Sequence, residues 1–244
     1  MKLYKEDSFE KMSERAASII AAQLILKPDS VLGLATGSSV LGIYRELVRR
    51  HRESGLDFSC ARTVNLDEYV GLEEKDSQSY RHFMNENLFC SVNIDIRNTF
   101  VPDGCATDFE AHCLEYDKKI KELGGLDLQL LGIGNNGHIG FNEPGDCFAV
   151  GTHTVELSRS TLNANSRFFT GEKAVPRRAV SMGIDSIFAA RKILLVAGGE
   201  KREILSRALY GPITPELPAS ILQLHPDLTV IYVSDGSGAE LCEA

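Results

Sequence analysis

Along most of the chain, short apolar runs lead into loops rich in Gly, Ser, Asn or Asp, and apolar residues then recur at helical spacing. Val31 to Ala35 is one such run. Thr36-Gly37-Ser38-Ser39 follows it, and Val40, Ile43, Tyr44, Leu47 and Val48 then mark an amphipathic helix. The unit repeats: Thr63 to Leu66 leads into Asp67-Glu68-Tyr69, and Tyr80, Phe83, Met84 and Leu88 mark a helix. Leu126 to Ile133 ends in a glycine-rich loop, Lys192 to Ala197 ends in Gly198-Gly199, and Thr229 to Val233 forms a last run. Asp7-Ser8-Phe9-Glu10 reads as a helix start capped by Asp7, with Glu10 three residues on; the helix runs through Ile19, Ile20 and Leu24 and is ended by Pro28 and Asp29. Another carries Phe109, Tyr116 and Ile120 behind a Thr107 and Glu110 cap. Strands that alternate with helices in this way are bridged by crossovers, so they pair in parallel and bury both faces. The expectation is an α/β fold, a three-layer Rossmann-like and mainly parallel sheet with helices on both faces. No repeat, low-complexity tract or linker divides residues 1–244, so one domain is expected.

In such a sheet ligands bind beyond the carboxyl ends of the strands, near the point where the strand order reverses. The informative residues are therefore those that follow each run. Charge narrows what they could hold: 26 basic against 34 acidic side chains leave a net charge of −8, and no long Lys/Arg block is present. A phosphate-backbone coat of nucleic acid needs a basic footprint, so DNA and RNA partners are not expected. A small anionic substrate would need a local group of cations and backbone N–H donors. No stretch has the ~20 apolar residues of a membrane span, and the N-terminus lacks the apolar core of a signal peptide. The six cysteines, Cys60, Cys90, Cys105, Cys113, Cys147 and Cys242, are scattered without a C-x-x-C pair. Reduced thiols in a cytoplasmic protein are the expectation, with no zinc site.

Four loops carry chemically loaded residues. Thr36, Gly37, Ser38 and Ser39 stand between a strand and a helix, where free N–H groups favour an anion; a capped helix start is the plainer alternative. No Lys occupies the Walker position, so this is no nucleotide P-loop. Gly132-Ile133-Gly134-Asn135-Asn136-Gly137 matches G-x-G-x-x-G. Gly140, Pro144 and Gly145 oppose the helix that a dinucleotide fingerprint requires, and no redox cofactor is expected. The same loop sets His138 and Glu143 beside Asn136, an acid/base pair or a structural pair. Their spacing is not that of a helical metal site, and no metal is expected. Asp67 is either a turn cap or a general base whose carboxyl is raised by burial and by Glu68. Arg167 and Lys201 are the cations placed to hold an anion, whereas Arg49, Arg50 and Arg52 fall at a helix end and complement its dipole.

Taken together, four segments closely resemble the glucosamine-6-phosphate deaminase family: residues 34–38, Asn65-Leu66-Asp67-Glu68-Tyr69-Val70-Gly71-Leu72, residues 132–145, and Asn165-Ser166-Arg167-Phe168-Phe169. The order of these elements matches almost to Val233. The resemblance implies conversion of glucosamine 6-phosphate and water to fructose 6-phosphate and ammonium, without a cofactor, in amino-sugar catabolism. His138 would open the pyranose ring, oriented by Glu143 and Asn136. Asp67 would take the proton from C2 and return it at C1, and Thr36 to Ser39, Arg167 and Lys201 would hold the phosphate. Many members of that family have Asp where this chain has Asn136, so Glu143 would carry more of the support of an imidazolium. Enteric members are activated by N-acetylglucosamine 6-phosphate through a basic site; the matching stretch, residues 146–156, contains His153, Val155 and Glu156, and no such activation is expected. Two competing readings are a 6-phosphogluconolactonase-like hydrolase and a non-catalytic sugar-phosphate sensor. The first fits the Asp67 and Phe141 to Pro144 segments less well, and the second leaves Asp67, His138 and Glu143 without a purpose. Homo-oligomers are compatible with the sequence.

Overall fold

The computed structural model describes residues 1–166, 169, 175–234 and 241. Its strands are β1 (Lys2–Glu6), β2 (Val31–Leu34), β3 (Arg62–Asn65), β4 (Asp67–Tyr69), β5 (Thr99–Phe100), β6 (Leu128–Leu131), β7 (His153–Glu156), β8 (Arg178–Ser181), β9 (Ile193–Ala197) and β10 (Leu228–Val233). The helices are α1 (Phe9–Leu26), α2 (Leu41–Ser54), α3 (Tyr80–Asn87), α4 (Phe109–Glu122), α5 (Arg159–Asn165), α6 (Ile184–Phe188) and α7 (Arg202–Tyr210). Seven strands form one parallel sheet in the order β1-β10-β9-β6-β2-β3-β5. The central strands β2, β6 and β9 are buried at every position, which explains their nearly unbroken Val, Ile and Leu content. The chain runs outward from β2 through β3 to β5, then returns to the other side of β2 as β6. That reversal makes the β2/β6 boundary the switch point, with residues 36–39 and 132–137 at its carboxyl end.

The alternation of strand and helix is as expected, but three features differ. The charged N-terminal segment is a strand, β1, parallel to β10 at the sheet edge. Its residues are largely exposed, so no apolar run marked it. Helix α1 is capped by Ser8, whose side chain accepts from the Lys11 amide, rather than by Asp7, which pairs with Lys11. In α4 the cap is Asp108, accepting from the Ala111 amide, and not Thr107. In both, the residue immediately before the helix has the extended backbone that lets a short side chain reach N3.

A second sheet was not anticipated. Strands β4, β8 and β7 are antiparallel, with Asp67 opposite Ser181 and Glu68 opposite Val180. Leu66 is the hinge between the sheets: its N–H donates to Leu34 O at 3.0 Å within the main sheet. Its carbonyl accepts from Met182 N at 2.6 Å in the segment that follows β8. The chain therefore leaves the parallel sheet at Leu66, and the next residue, Asp67, stands above the sheet's carboxyl end.

Candidate active site

Residues 36–39 leave β2 in a conformation that requires glycine. Gly37 has φ 94° and ψ 179°, a region that side-chain-bearing residues avoid, and Ser38–Val40 then form a 3-10 turn leading into α2. This turn and the hydroxyls of Thr36, Ser38 and Ser39 face a cleft of about 450 Å³. Asp67, His138 and Lys201 line the same cleft. The structure thus brings together the residues chosen from four separate loops. Lys201 is where α7 begins, and its ammonium bonds Asn135 Oδ1, tying α7 to the loop after β6. Arg167 lies outside the described residues.

Asp67 is buried, and Tyr69, Tyr80 and Phe141 pack together next to it; the rings of Tyr80 and Phe141 stack with centroids 6.0 Å apart. Burial, with the charge of Glu68 second, raises the Asp67 carboxyl to about 8. Glu68 points away into the start of α3. Its Oε1 accepts from the amides of Tyr69 at 2.8 Å and Tyr80 at 2.9 Å, and its Oε2 accepts from Arg81 N at 2.9 Å. Burial nonetheless raises Glu68 to about 7, against the pull of those amides and of Arg81. Asp67 is thus a carboxyl of raised basicity in a largely apolar wall, and Glu68 is a helix anchor behind it.

His138 presents its imidazole to the cleft and lies across Gly134, where an added Cβ would stand 2.3 Å from the ring. Asn136 and Glu143 do not line the cleft; they stand behind the imidazole. Glu143 Oε2 is 3.6 Å from His138 Nδ1 and accepts from Asn136 Nδ2 at 2.7 Å, and Asn136 Oδ1 accepts from the His138 amide at 3.2 Å. The other oxygen, Oε1, accepts from Thr161 Oγ1 at 2.5 Å and Ser158 N at 3.2 Å. Burial alone would raise the Glu143 carboxyl, but His138, Thr161 and Asn136 together hold it down to about 2. A carboxylate so anchored stays charged beside an imidazole that can take up a proton.

Sequence reasoning missed Thr161, Asn163 and Asn165 of α5 and the wall residue Tyr80, all of which line the cleft. Tyr80 was marked only as a helix residue. The Ser158 cap before α5, whose side chain accepts from the Thr161 amide, was a usable local signal for that helix. No local pattern showed that it folds over His138. Among the described residues no group of three or more His, Cys, Asp or Glu side chains is placed to hold a metal ion. No described helix is long and apolar enough to cross a membrane.

A cleft at the switch point that pairs an anion-suited turn with two groups able to move protons is the arrangement expected for a phosphorylated substrate. Comparison with known proteins agrees. The family described as glucosamine-6-phosphate isomerases/6-phosphogluconolactonase matches residues 4–231. Glucosamine-6-phosphate deaminase of Lachnoclostridium phytofermentans is 58% identical over 232 residues, which cover 95% of this chain and 98% of that protein. The protein of the same name from Geobacillus sp. is 51% identical over 236 residues, covering 96% and 94%. A solved structure of a monomeric glucosamine-6-phosphate deaminase superposes with a TM-score of 0.93 at 44% identity, covering 96% of this chain and 97% of that one. The 6-phosphogluconolactonase of Thermotoga maritima shares the fold, with a TM-score of 0.73 at 20% identity over 96% of this chain and 99% of that one. On the extent of the family match and the identity to these relatives, the chain belongs to the glucosamine-6-phosphate isomerase/6-phosphogluconolactonase family.

Proposed function

We propose that the protein converts glucosamine 6-phosphate and water to fructose 6-phosphate and ammonium. The observation that carries this reading is the convergence of Asp67, His138 and the residue 36–39 turn on one cleft, in a chain 58% identical to a protein named for that deamination. The phosphate is held by the hydroxyls and N–H groups of residues 36–39 and by Lys201; Arg167 is proposed as a further cation on its sequence context alone. Because the phosphate is remote from the reacting carbons, its binding energy positions the sugar without entering the chemistry.

His138, supported from behind by Glu143 and Asn136, moves the proton between the ring oxygen and the C1 hydroxyl and so opens the pyranose. Asp67 then removes the C2 proton from the open-chain aldehyde. The electron pair forms the C1–C2 double bond as O1 takes a proton from the C2 ammonium, which gives an enolamine, and Asp67 returns its own proton to C1. The nitrogen is left as an iminium at C2, and water adds there and displaces ammonia to give the ketone. A base for the C2 proton must lie in a site from which bulk water is largely excluded, and the aromatic wall of Tyr69, Tyr80 and Phe141 suits that need. The test is an ammonia-release assay with glucosamine 6-phosphate, with hydrolysis of 6-phosphogluconolactone measured in parallel. Ammonium and fructose 6-phosphate in equal amounts are expected; lactone hydrolysis without ammonia would overturn the reading.

A further inference from the structure

Glu143 and His138 are separated by 3.6 Å at their nearest polar atoms, too far for a good direct hydrogen bond. A third group fills the gap. Thr161 Oγ1 lies 3.4 Å from His138 Nδ1 and 2.5 Å from Glu143 Oε1, while Ser158 Oγ approaches it at 3.0 Å. A hydroxyl has one proton to give and two lone pairs. With the proton committed to Glu143, the lone pairs face Ser158 Oγ and His138 Nδ1. Asn136 reinforces the division, because its Nδ2 occupies the Glu143 oxygen nearer to His138. Thr161 is itself 3% exposed, on the first turn of a helix whose leading amide, Ser158 N, also binds Glu143.

We propose that the Thr161 hydroxyl is a positioning group that bridges His138 Nδ1 to the Glu143 carboxylate. The bridge holds the proton on Nδ1, leaves Nε2 as the ring nitrogen free for proton transfer, and passes the carboxylate's stabilisation to the imidazolium. The inference rests on reading His138 as the group that opens the ring. The charged neighbour of the imidazole on its buried side is Glu143; Asn136, Ser158 and Thr161 are neutral, and Phe141 offers only a ring face with centroids 6.3 Å apart. Asp67, Glu200 and Lys201 face it across the open cleft.

Two substitutions test the bridge in the full-length protein. Thr161→Val keeps the shape and removes the hydroxyl; Thr161→Ser keeps the hydroxyl. Nitrogen-15 NMR of the neutral His138 imidazole should place the proton on Nδ1 in the wild-type protein, and Thr161→Val should lose that tautomer preference. In the same variant kcat on glucosamine 6-phosphate should fall roughly 10–100-fold, with KM changed less than about threefold because the phosphate hold is elsewhere. Thr161→Ser should recover both readouts. An unchanged imidazole tautomer in Thr161→Val, or a Thr161→Ser variant as impaired as Thr161→Val, would overturn the bridge. A wild-type protein that releases no ammonia, but whose imidazole changes tautomer in Thr161→Val and recovers it in Thr161→Ser, would support the bridge and sink the catalytic reading instead.

Discussion

Asp67 is 6% exposed, and a carboxyl with so little access to water is costly to ionise. That cost suits the role of base proposed for it: with its carboxyl raised to about 8, kcat/KM should climb with pH and level off above about 8, as the free protein loses that proton. A pH–rate profile flat from 6 to 9 would contradict the assignment. The same cost appears in stability, with a definite sign. A carboxyl whose folded value lies above its unfolded value makes its full contribution to stability only below the ordinary carboxyl range; that contribution is lost progressively from there and is gone once pH has risen through about 8. Asp67→Asn should therefore lower turnover by at least about 10³-fold. It should leave sugar-phosphate binding intact and, above pH 8, stabilise the protein by on the order of 1–3 kcal/mol in thermal melts. Gly134 illustrates a different residue-scale limit. A methyl group at this position would meet the His138 ring at 2.3 Å, so Gly134→Ala should displace the imidazole and cost about 10²-fold in kcat while the protein still folds. The sequence showed a glycine-rich loop carrying a histidine; that this particular glycine is a seat for that histidine needs coordinates.

At the scale of elements, β4 and α3 decide how Asp67 is presented. The hinge at Leu66 turns the chain out of the parallel sheet, and Glu68 fastens the next strand to the start of α3 through the amides of Tyr80 and Arg81. Glu68→Gln leaves an N–H2 group facing an amide that the second oxygen now accepts, so a loss of about 1–3 kcal/mol is expected in denaturant melts. Removing the charge also removes the second cause of the raised Asp67 carboxyl, so the acid limb of the rate profile should move to lower pH by roughly half to one unit. A shift to higher pH would show that Glu68 acts on Asp67 in some other way. The elements missed from the sequence share a reason. Strands β1, β7 and β8 are short or exposed on part of their surface, and β4 pairs with a strand more than a hundred residues away. Nothing local in Asp67-Glu68-Tyr69 marks that partner, whereas β2, β6 and β9 are legible because burial on both faces demands apolar side chains throughout.

For the molecule as a whole, a net charge of −8 is compatible with the anion hold proposed above, because that hold is local: the residue 36–39 turn and Lys201 line one cleft. A neighbouring pocket of about 250 Å³ lies on the far side of Glu143, in the region where the family resemblance would place an activating site. Its charged or titratable lining is Glu143, Cys147, His153 and Glu156, with no Lys or Arg among the described residues. Such walls repel a phosphate. Initial rates should accordingly follow a hyperbola in glucosamine 6-phosphate, and N-acetylglucosamine 6-phosphate should leave the curve unchanged; a sigmoidal curve made hyperbolic by it would contradict this. What the sequence determined by itself was the layered α/β plan and the loops that line the cleft, because strand burial, helix periodicity and turn composition are local constraints written residue by residue. Tertiary structure alone decided that Asp67 rises from a second sheet into an aromatic wall and that α5 brings Thr161 against Glu143 and His138. Those relations depend on pairing between distant segments, and an isolated stretch of chain has no way to encode the burial that makes a carboxylate basic.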